Sequence, residues 1–372
     1  MKVDSDTAVR NAKSLVAWSS SGTEGVGFRT YYNAVIAPGR ECGGVFADGR
    51  RVVEAWPSGR DPDSTPCPQK RIDEPVLFIG TLHGCWGHCL TDSLRRMWFF
   101  ASPRREECRH LRVAYMTLLE DEVLPPNLLE IFKLLGFDLR EATRIDQPTA
   151  IRECVVPDVG YVSANAGLTW GYPPHGPLLP TLEFGELFDF IVRRVGVGRG
   201  GHPVRKVYFS RTRCSRWDYG EEAIERAFAS RGFEIVHPEK LSLAEMLRIL
   251  DETAVFASTE GSCSHNAVFL RKGTRAIIIR KSSSVNWYQM MINFMRGLDV
   301  TFVRSAWSPT LLRYERHDPV AGPFFLYVNS RLAKILGVRR CFPLGAFIRY
   351  VGWGFVLHWG HWLFSGLRRL RH

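Results

Sequence analysis

The chain has 372 residues, 45% of them apolar and 23% charged, with a net charge of +11. That length exceeds one ordinary domain, and that balance excludes a disordered or collagen-like chain. The charge is uneven: residues 331–372 hold eight Lys or Arg and no Asp or Glu, which leaves +3 for the 330 residues before them. A basic surface therefore belongs to the tail, and a nucleic-acid-binding domain is disfavoured.

In chain order, Met1 to Arg10 contains two aspartates and no apolar run follows, so no secretory leader is expected there. The nine cysteines are odd in number, irregularly spaced and without a CxxC pair. They suggest a reducing cytoplasm, no disulfide framework and no zinc ribbon. The run "GGVFADGRRVVEAW" predicts a hairpin turning at Asp48-Gly49. Residues 60–70 read as a loop and "PVLFIG" (75–80) as a buried strand. "TDSLRRMWFFA" has helical spacing, with Thr91 or Asp92 as its cap. "LRVAYM" (111–116) reads as a strand, and residues 126–137 as a helix ended by Gly136. The Pro- and Gly-rich stretch 157–180 reads as a long loop or domain connector.

After Thr181 helices and strands alternate regularly. "LEFGELFDFIVRRV", "GEEAIERAFASRG", "LSLAEMLRIL" and "SCSHNAVFL" read as helices; "RKVYFSR", "FEIVHP", "TAVFAST", "RAIIIR" and "VTFVRS" read as strands. This pattern predicts a parallel sheet wound by right-handed crossovers, which binds ligands at the carboxyl ends of its strands. Two places stand out by that rule. Arg211 follows one strand, with Arg213 and Arg216 beyond it, and Glu260, Gly261 and Ser262 follow another at the start of a helix. Guanidinium groups and helix-start N–H groups suit a phosphate. A turn and solvated arginines are the plainer alternative.

The segment "HGCWGHCLTDSLRRMW" (83–98) concentrates polar chemistry. A zinc site would need His83, Cys85, His88 and Cys89 to converge, and adjacent His88 and Cys89 diverge on a regular backbone. His88 and Asp92, four apart, can share a helix face and form a carboxylate–imidazole pair able to act as a general base. Alternatively, Asp92 only caps the helix and His88 packs beside Trp86. "DPD" (61–63) resembles a metal-binding DxD but sits in a proline-rich loop instead of after a strand.

The order of "WGHxxTDxLRRxW", "YFSR" with Arg216 and Glu221, and "EGSxxHN" leading to "AIIIR" and "WYQ" resembles glycosyltransferase family 61, notably its bacterial surface-polysaccharide members. The resemblance spans about residues 70–305. It implies a GT-B-like α/β fold of two Rossmann-like domains facing across a cleft. It divides the chain into an acceptor-side domain (1–180), a nucleotide-sugar-binding domain (181–310) and a basic aromatic tail (311–372). The implied reaction is inverting and metal-independent, with no cofactor, from a nucleotide-sugar donor to a glycan or lipid-linked acceptor. Trp86, Gly87, His88 and Asp92 match its first block, Arg211, Arg216 and Glu221 its second, and Gly261, Ser262, His265 and Asn266 its third. Glu260 and Gly220 depart from many members, which have histidine and asparagine there. The base is Asp92 oriented by His88, His88 itself, or Glu260; Arg211, Arg216, Ser262, His265, Asn266 and N–H groups from Gly261 onward would hold the donor. Two other readings are a non-catalytic, membrane-docked assembly protein on the same fold and a metal-dependent hydrolase. The run 347–372, mixing aromatic, apolar and basic residues, suits an interfacial segment on the inner membrane face better than a spanning helix. Otherwise it packs back on the N-terminal domain.

Overall fold

A computed structural model describes residues 26–39, 42–55, 64–163, 177–197, 201–214, 218–281, 285–307 and 324–352. The DPD loop, Arg216 and residues 353–372 fall outside the described residues.

The first half is built on an eight-stranded mixed sheet. Its strands are β1 (Phe28–Ala37), β2 (Gly44–Ala47), β3 (Arg50–Glu54), β4 (Lys70–Ile72), β5 (Val76–Leu82), β6 (Arg112–Thr117), β7 (Thr143–Arg144) and β8 (Thr149–Pro157). They lie in the order β3-β2-β1-β8-β5-β6-β7, with β4 also pairing β8. The β2–β3 hairpin turns at Asp48 (φ 50°) and Gly49 (φ 75°), the doubly left-handed turn that Asp-Gly favours. All seven residues of β5 are buried, as expected for a central strand covered on both faces.

The connector 157–180 is anchored at both ends. Its β9 (Tyr161–Ser163) and β10 (Leu178–Pro180) pair antiparallel, so Tyr161 is a fixed, buried residue. The helix Leu182–Arg194 follows, capped by the Thr181 hydroxyl, which accepts from Phe184 N. Its Phe184, Leu187, Phe188 and Ile191 face the largest apolar cluster. That cluster contains Leu77 and Ile79 of β5 and Val207 and Phe256 of the second sheet, so one core joins both halves.

The second sheet is wholly parallel. It contains β11 (Arg205–Phe209), β13 (Glu234–Val236), β14 (Thr253–Thr259), β15 (Arg275–Arg280) and β16 (Asp299–Arg304), in the order β13-β11-β14-β15-β16. That is the doubly wound order 2-1-3-4-5, whose winding direction reverses between β11 and β14. The strand-to-strand step from β15 to β16 needs a crossover, and the helix Trp287–Met295 supplies it; apolar and amide residues alternate there too irregularly to show a helical stripe. "SCSHNAVFL" is a six-residue 3-10 helix (Ser264–Phe269), shorter than the sequence suggests.

A third, small sheet joins β12 (Asp218–Tyr219), β18 (Phe324–Leu326) and β17 (Ala306–Trp307). The helix Ser330–Leu336 buries Leu332, Ala333 and Leu336 against Ile277 and Val303, so this part of the tail packs on the second half, not on the first. Among the described residues no helix is long and apolar enough to cross a membrane.

Candidate active site

Strand β5 delivers the chain to His83, and the backbone then makes one α turn (Trp86–His88), a π turn (Cys89–Ser93) and a series of 3-10 turns. Cys85, not Thr91 or Asp92, occupies the cap position. A π turn inserts a residue into the helical register and is often found at functional sites. Here it aims Asp92 into the protein.

The Asp92 carboxylate is buried and approached by up to four donors. His88 Nδ1 lies 2.7 Å from Oδ2, and the Thr91 hydroxyl 2.8 Å from the same oxygen. The hydroxyls of Tyr161 and Tyr288 donate to Oδ1 at 3.2 and 2.7 Å. The Thr91 proton is shared, since its Oγ1 is also 3.1 Å from Gly87 O. Burial pushes the Asp92 carboxyl up, but the hydrogen bond and charge of His88, then the charge of Arg95, hold it far below the usual carboxylate range. Burial pushes the His88 imidazole down, yet its hydrogen bond to Asp92 and that carboxylate's charge leave it above its ordinary 6.5. Both tyrosines are pushed up, by burial first and then by Asp92, so they stay neutral donors. With Nδ1 committed to Asp92, Nε2 is the ring nitrogen through which His88 can exchange a proton with a ligand.

The second sheet presents its third block directly to this pair. Gly87 packs on Ser262 so closely that a Cβ there would stand 2.6 Å from Ser262 Oγ. Cys85 Sγ lies 3.6 Å from Ser262 Oγ, and Trp86 Nε1 donates to Asn266 Oδ1 at 2.8 Å. His265 is buried, 3.4 Å from Asn286 Nδ2, and burial followed by the charge of His88 lowers its pKa to about 4. Asn286 caps the helix that carries Tyr288. The order of contacts thus runs from one sheet to the other through His88, Asp92, Tyr288 and His265.

Arg211, Glu260 and Lys281 follow the carboxyl ends of the adjacent strands β11, β14 and β15. Asp218 accepts from Arg211 Nη1 at 3.3 Å and from Lys281 Nζ. Arg213 is exposed. Glu260 is buried, and that burial, only partly offset by Arg280 and Lys281, raises its carboxyl to about 7. Gly261 has φ +123°, which side chains rarely adopt, and a Cβ there would meet no atom within 4 Å, so open space borders it. Gly261 N donates to Ser264 Oγ at 3.1 Å, so that one N–H group is taken up within the chain, and the segment opens a short 3-10 turn instead of a full helix.

Glu221 is fully buried and accepts from Tyr208 Oη (2.8 Å) and Arg211 N (3.3 Å), while its Oε2 has no hydrogen-bond partner. Burial, reinforced by Asp218, raises its carboxyl to about 7 from 4.5. Between those two values the native chain holds a proton that the unfolded chain has released, so stability falls as pH rises through that window. Glu221→Gln does not titrate. Its stability relative to the parent should improve by on the order of 2–3 kcal/mol between pH 5 and pH 8.5, in urea melts at each pH. A difference independent of pH would show that Glu221 is ionised throughout.

Among the described residues no three His, Cys, Asp or Glu side chains cluster as a metal site would require. Cys89 is buried, and its thiol donates to His83 O at 2.9 Å. Residues to which the sequence assigns no role in the site complete it: Thr91, which reads there only as a cap, with Tyr161 and Tyr288 on Asp92, Arg95 beside them, and Asp218 and Lys281 beside Arg211. The strand-end rule could have found Lys281, directly after β15.

No curated protein shows significant sequence similarity to the chain. Among solved structures, it is similar to the iron-containing dodecameric glycosyltransferase TibC of enterotoxigenic E. coli H10407, at 13% identity over 75% of this chain and 74% of that one, with a TM-score of 0.28. The sequence model of the glycosyltransferase 61 family matches residues 86–277, from the Trp86 turn into β15 and thus across Asp92, Arg211 and Gly261. The chain belongs to the glycosyltransferase 61 family and is a glycosyltransferase.

Proposed function

We propose that the protein transfers a sugar, with inversion and without a metal ion, from a nucleotide-sugar to a glycan or lipid-linked hydroxyl, in a GT-B-like arrangement of domains 1–180 and 181–310. The observation that carries this reading is the His88–Asp92 pair at 2.7 Å, set against Ser262 of the parallel sheet. Asp92 is a poor base: it is strongly acidic and saturated with donors. It serves as the orienting and charge-balancing group, and His88 Nε2 takes the acceptor proton. The acceptor oxygen forms its bond to the anomeric carbon as the bond to the diphosphate breaks. Inversion follows from this single displacement.

The diphosphate needs positive charge at the winding reversal between β11 and β14. Arg211 and Lys281 share one carboxylate, Asp218, and Glu260 at about 7 is partly protonated, so the strand ends retain net positive charge. Ser262, His265 and Asn266 line the junction between the halves, and Arg216 extends the arginine block by sequence. The product class that the family resemblance implies is a surface polysaccharide.

Arg211→Ala should lower turnover about 100-fold or more, since a well-placed charge-stabilising donor is worth roughly 3–4 kcal/mol. Its melting temperature should stay close to the parent's, because Asp218 keeps Lys281. Thermal-shift screening of nucleoside diphosphates and nucleotide-sugars, followed by product analysis of any hit, tests the whole reading. Binding without transfer or hydrolysis would favour the non-catalytic assembly protein, and an R211A variant of normal turnover would remove that arginine from the mechanism.

A further inference from the structure

The helix over residues 344–352 is apolar on two faces. Ala346 and Tyr350, four apart, are buried with Phe325 in a small aromatic cluster outside the main core. Leu344 and Ile348, also four apart, point outward and are each 62% exposed. Phe342 (53% exposed) and Trp307 (42%) adjoin them through Phe347, whose ring centroid lies 5.1 Å from Phe342 and 5.7 Å from Trp307. A single exposed leucine means little, but a contiguous apolar face of four large side chains marks a contact surface.

Its surroundings specify the contact. Arg339, Arg340 and Arg349 are exposed beside it, and after Asp318 the chain contains no Asp or Glu at all. Residues 353–372 continue the same composition, with three further tryptophans and three arginines. Outward Leu and Ile, a tryptophan at the margin and arginine without acid together match the headgroup region of an anionic bilayer.

We propose that the face formed by Trp307, Phe342, Leu344 and Ile348, rimmed by Arg339, Arg340 and Arg349, docks the enzyme on an anionic lipid bilayer. Docking there does not depend on the identity of the donor or the base. The Val328–Cys341 bridge ties the start of this segment to the chain leaving β18, so the docked face is held to the second half of the molecule.

The test is co-sedimentation of the full chain with vesicles of phosphatidylcholine, with and without phosphatidylglycerol. The chain should pellet with phosphatidylglycerol vesicles, much less with phosphatidylcholine alone, and less again as salt is raised. The L344E/I348E double variant should bind roughly tenfold more weakly or worse while keeping the parent's melting temperature. Should it fail to fold, the L344S/I348S variant provides the same comparison. Replacing Arg339, Arg340 and Arg349 together by glutamine should remove most of the preference for phosphatidylglycerol. The proposal is overturned if the full chain stays in solution with anionic vesicles, or if the double variant binds them as the parent does. Self-association in sedimentation velocity that the same substitutions abolish, without vesicle binding, would assign the face to a second copy of the chain.

Discussion

His88→Ala should lower kcat/KM about 1,000-fold, in the middle of the range for removal of a positioned general base, with nucleotide binding and melting temperature retained. Asp92→Asn should cost a comparable factor for a different reason. It keeps the side-chain shape, but replaces an acceptor of up to four hydrogen bonds and removes the charge that holds the imidazole up. The two are separated by pH. His88 must be neutral to accept a proton, and its pKa is raised above 6.5, so the acid limb of kcat/KM should lie above 6.5 in the parent. In D92N the limb should move down. An unmoved limb, or an active H88A enzyme, would transfer the role to Glu260, whose carboxyl at about 7 gives a similar profile. E260Q would then be the inactive variant.

The same pair leaves an opposite mark on stability. The raised His88 contributes fully below 6.5 and loses its contribution as pH rises through its native pKa. The depressed Asp92 contributes fully above the ordinary carboxylate value of about 4 and loses it as pH falls toward its native pKa. The pair therefore stabilises the fold most between about pH 4 and 6.5, below the range in which the imidazole is a competent base. Urea melts of the parent and D92N across pH should differ most in that interval.

Gly87→Ala should be the most damaging change among the site residues that do no chemistry. The added Cβ would lie 2.6 Å from Ser262 Oγ and 3.0 Å from Ser262 Cα and Cβ. A side-chain oxygen can rotate away, but an α-carbon cannot, so the two segments must part. Overpacking of this kind costs about 1–3 kcal/mol. A displacement near 1 Å between His88 and the donor would add roughly a 100-fold loss in turnover. Combining G87A with Ser262→Gly removes two of the three close contacts and should restore part of the lost melting temperature. A G87A enzyme with the parent's melting temperature and rate would mean that the halves do not meet at this point.

All five strands of the second sheet, and β5, β6 and the β2–β3 hairpin of the first, were legible as compact runs between breakers, such as "PVLFIG", "TAVFAST" and "RAIIIR", whereas β1, β4, β7 and β8 were not. The His88–Asp92 pairing was legible because four-residue spacing is local information. The rest of the site was not. Tyr161 and Tyr288 reach Asp92 from 69 and 196 residues away, and no spacing rule connects them. The π turn has no sequence signature, so Asp92 read equally well as a cap. Gly261 marked a helix start suited to a phosphate, but not that Ser264 would occupy its N–H group. The helix Trp287–Met295 was hidden for a related reason: Gln289 and Asn293 are buried and bond to each other, breaking the apolar stripe by which a helix announces itself.

Tyr288 comes from beyond β15, whereas His88 and Asp92 follow β5. Any hinge motion that parts the two sheets to admit or discharge substrate must pull that phenol from the carboxylate, breaking a 2.7 Å bond. On the proposed mechanism, the carboxylate that orients His88 would then be fully bonded only while the two sheets stay together. Such an interlock would spare an idle sugar donor from wasteful attack by water.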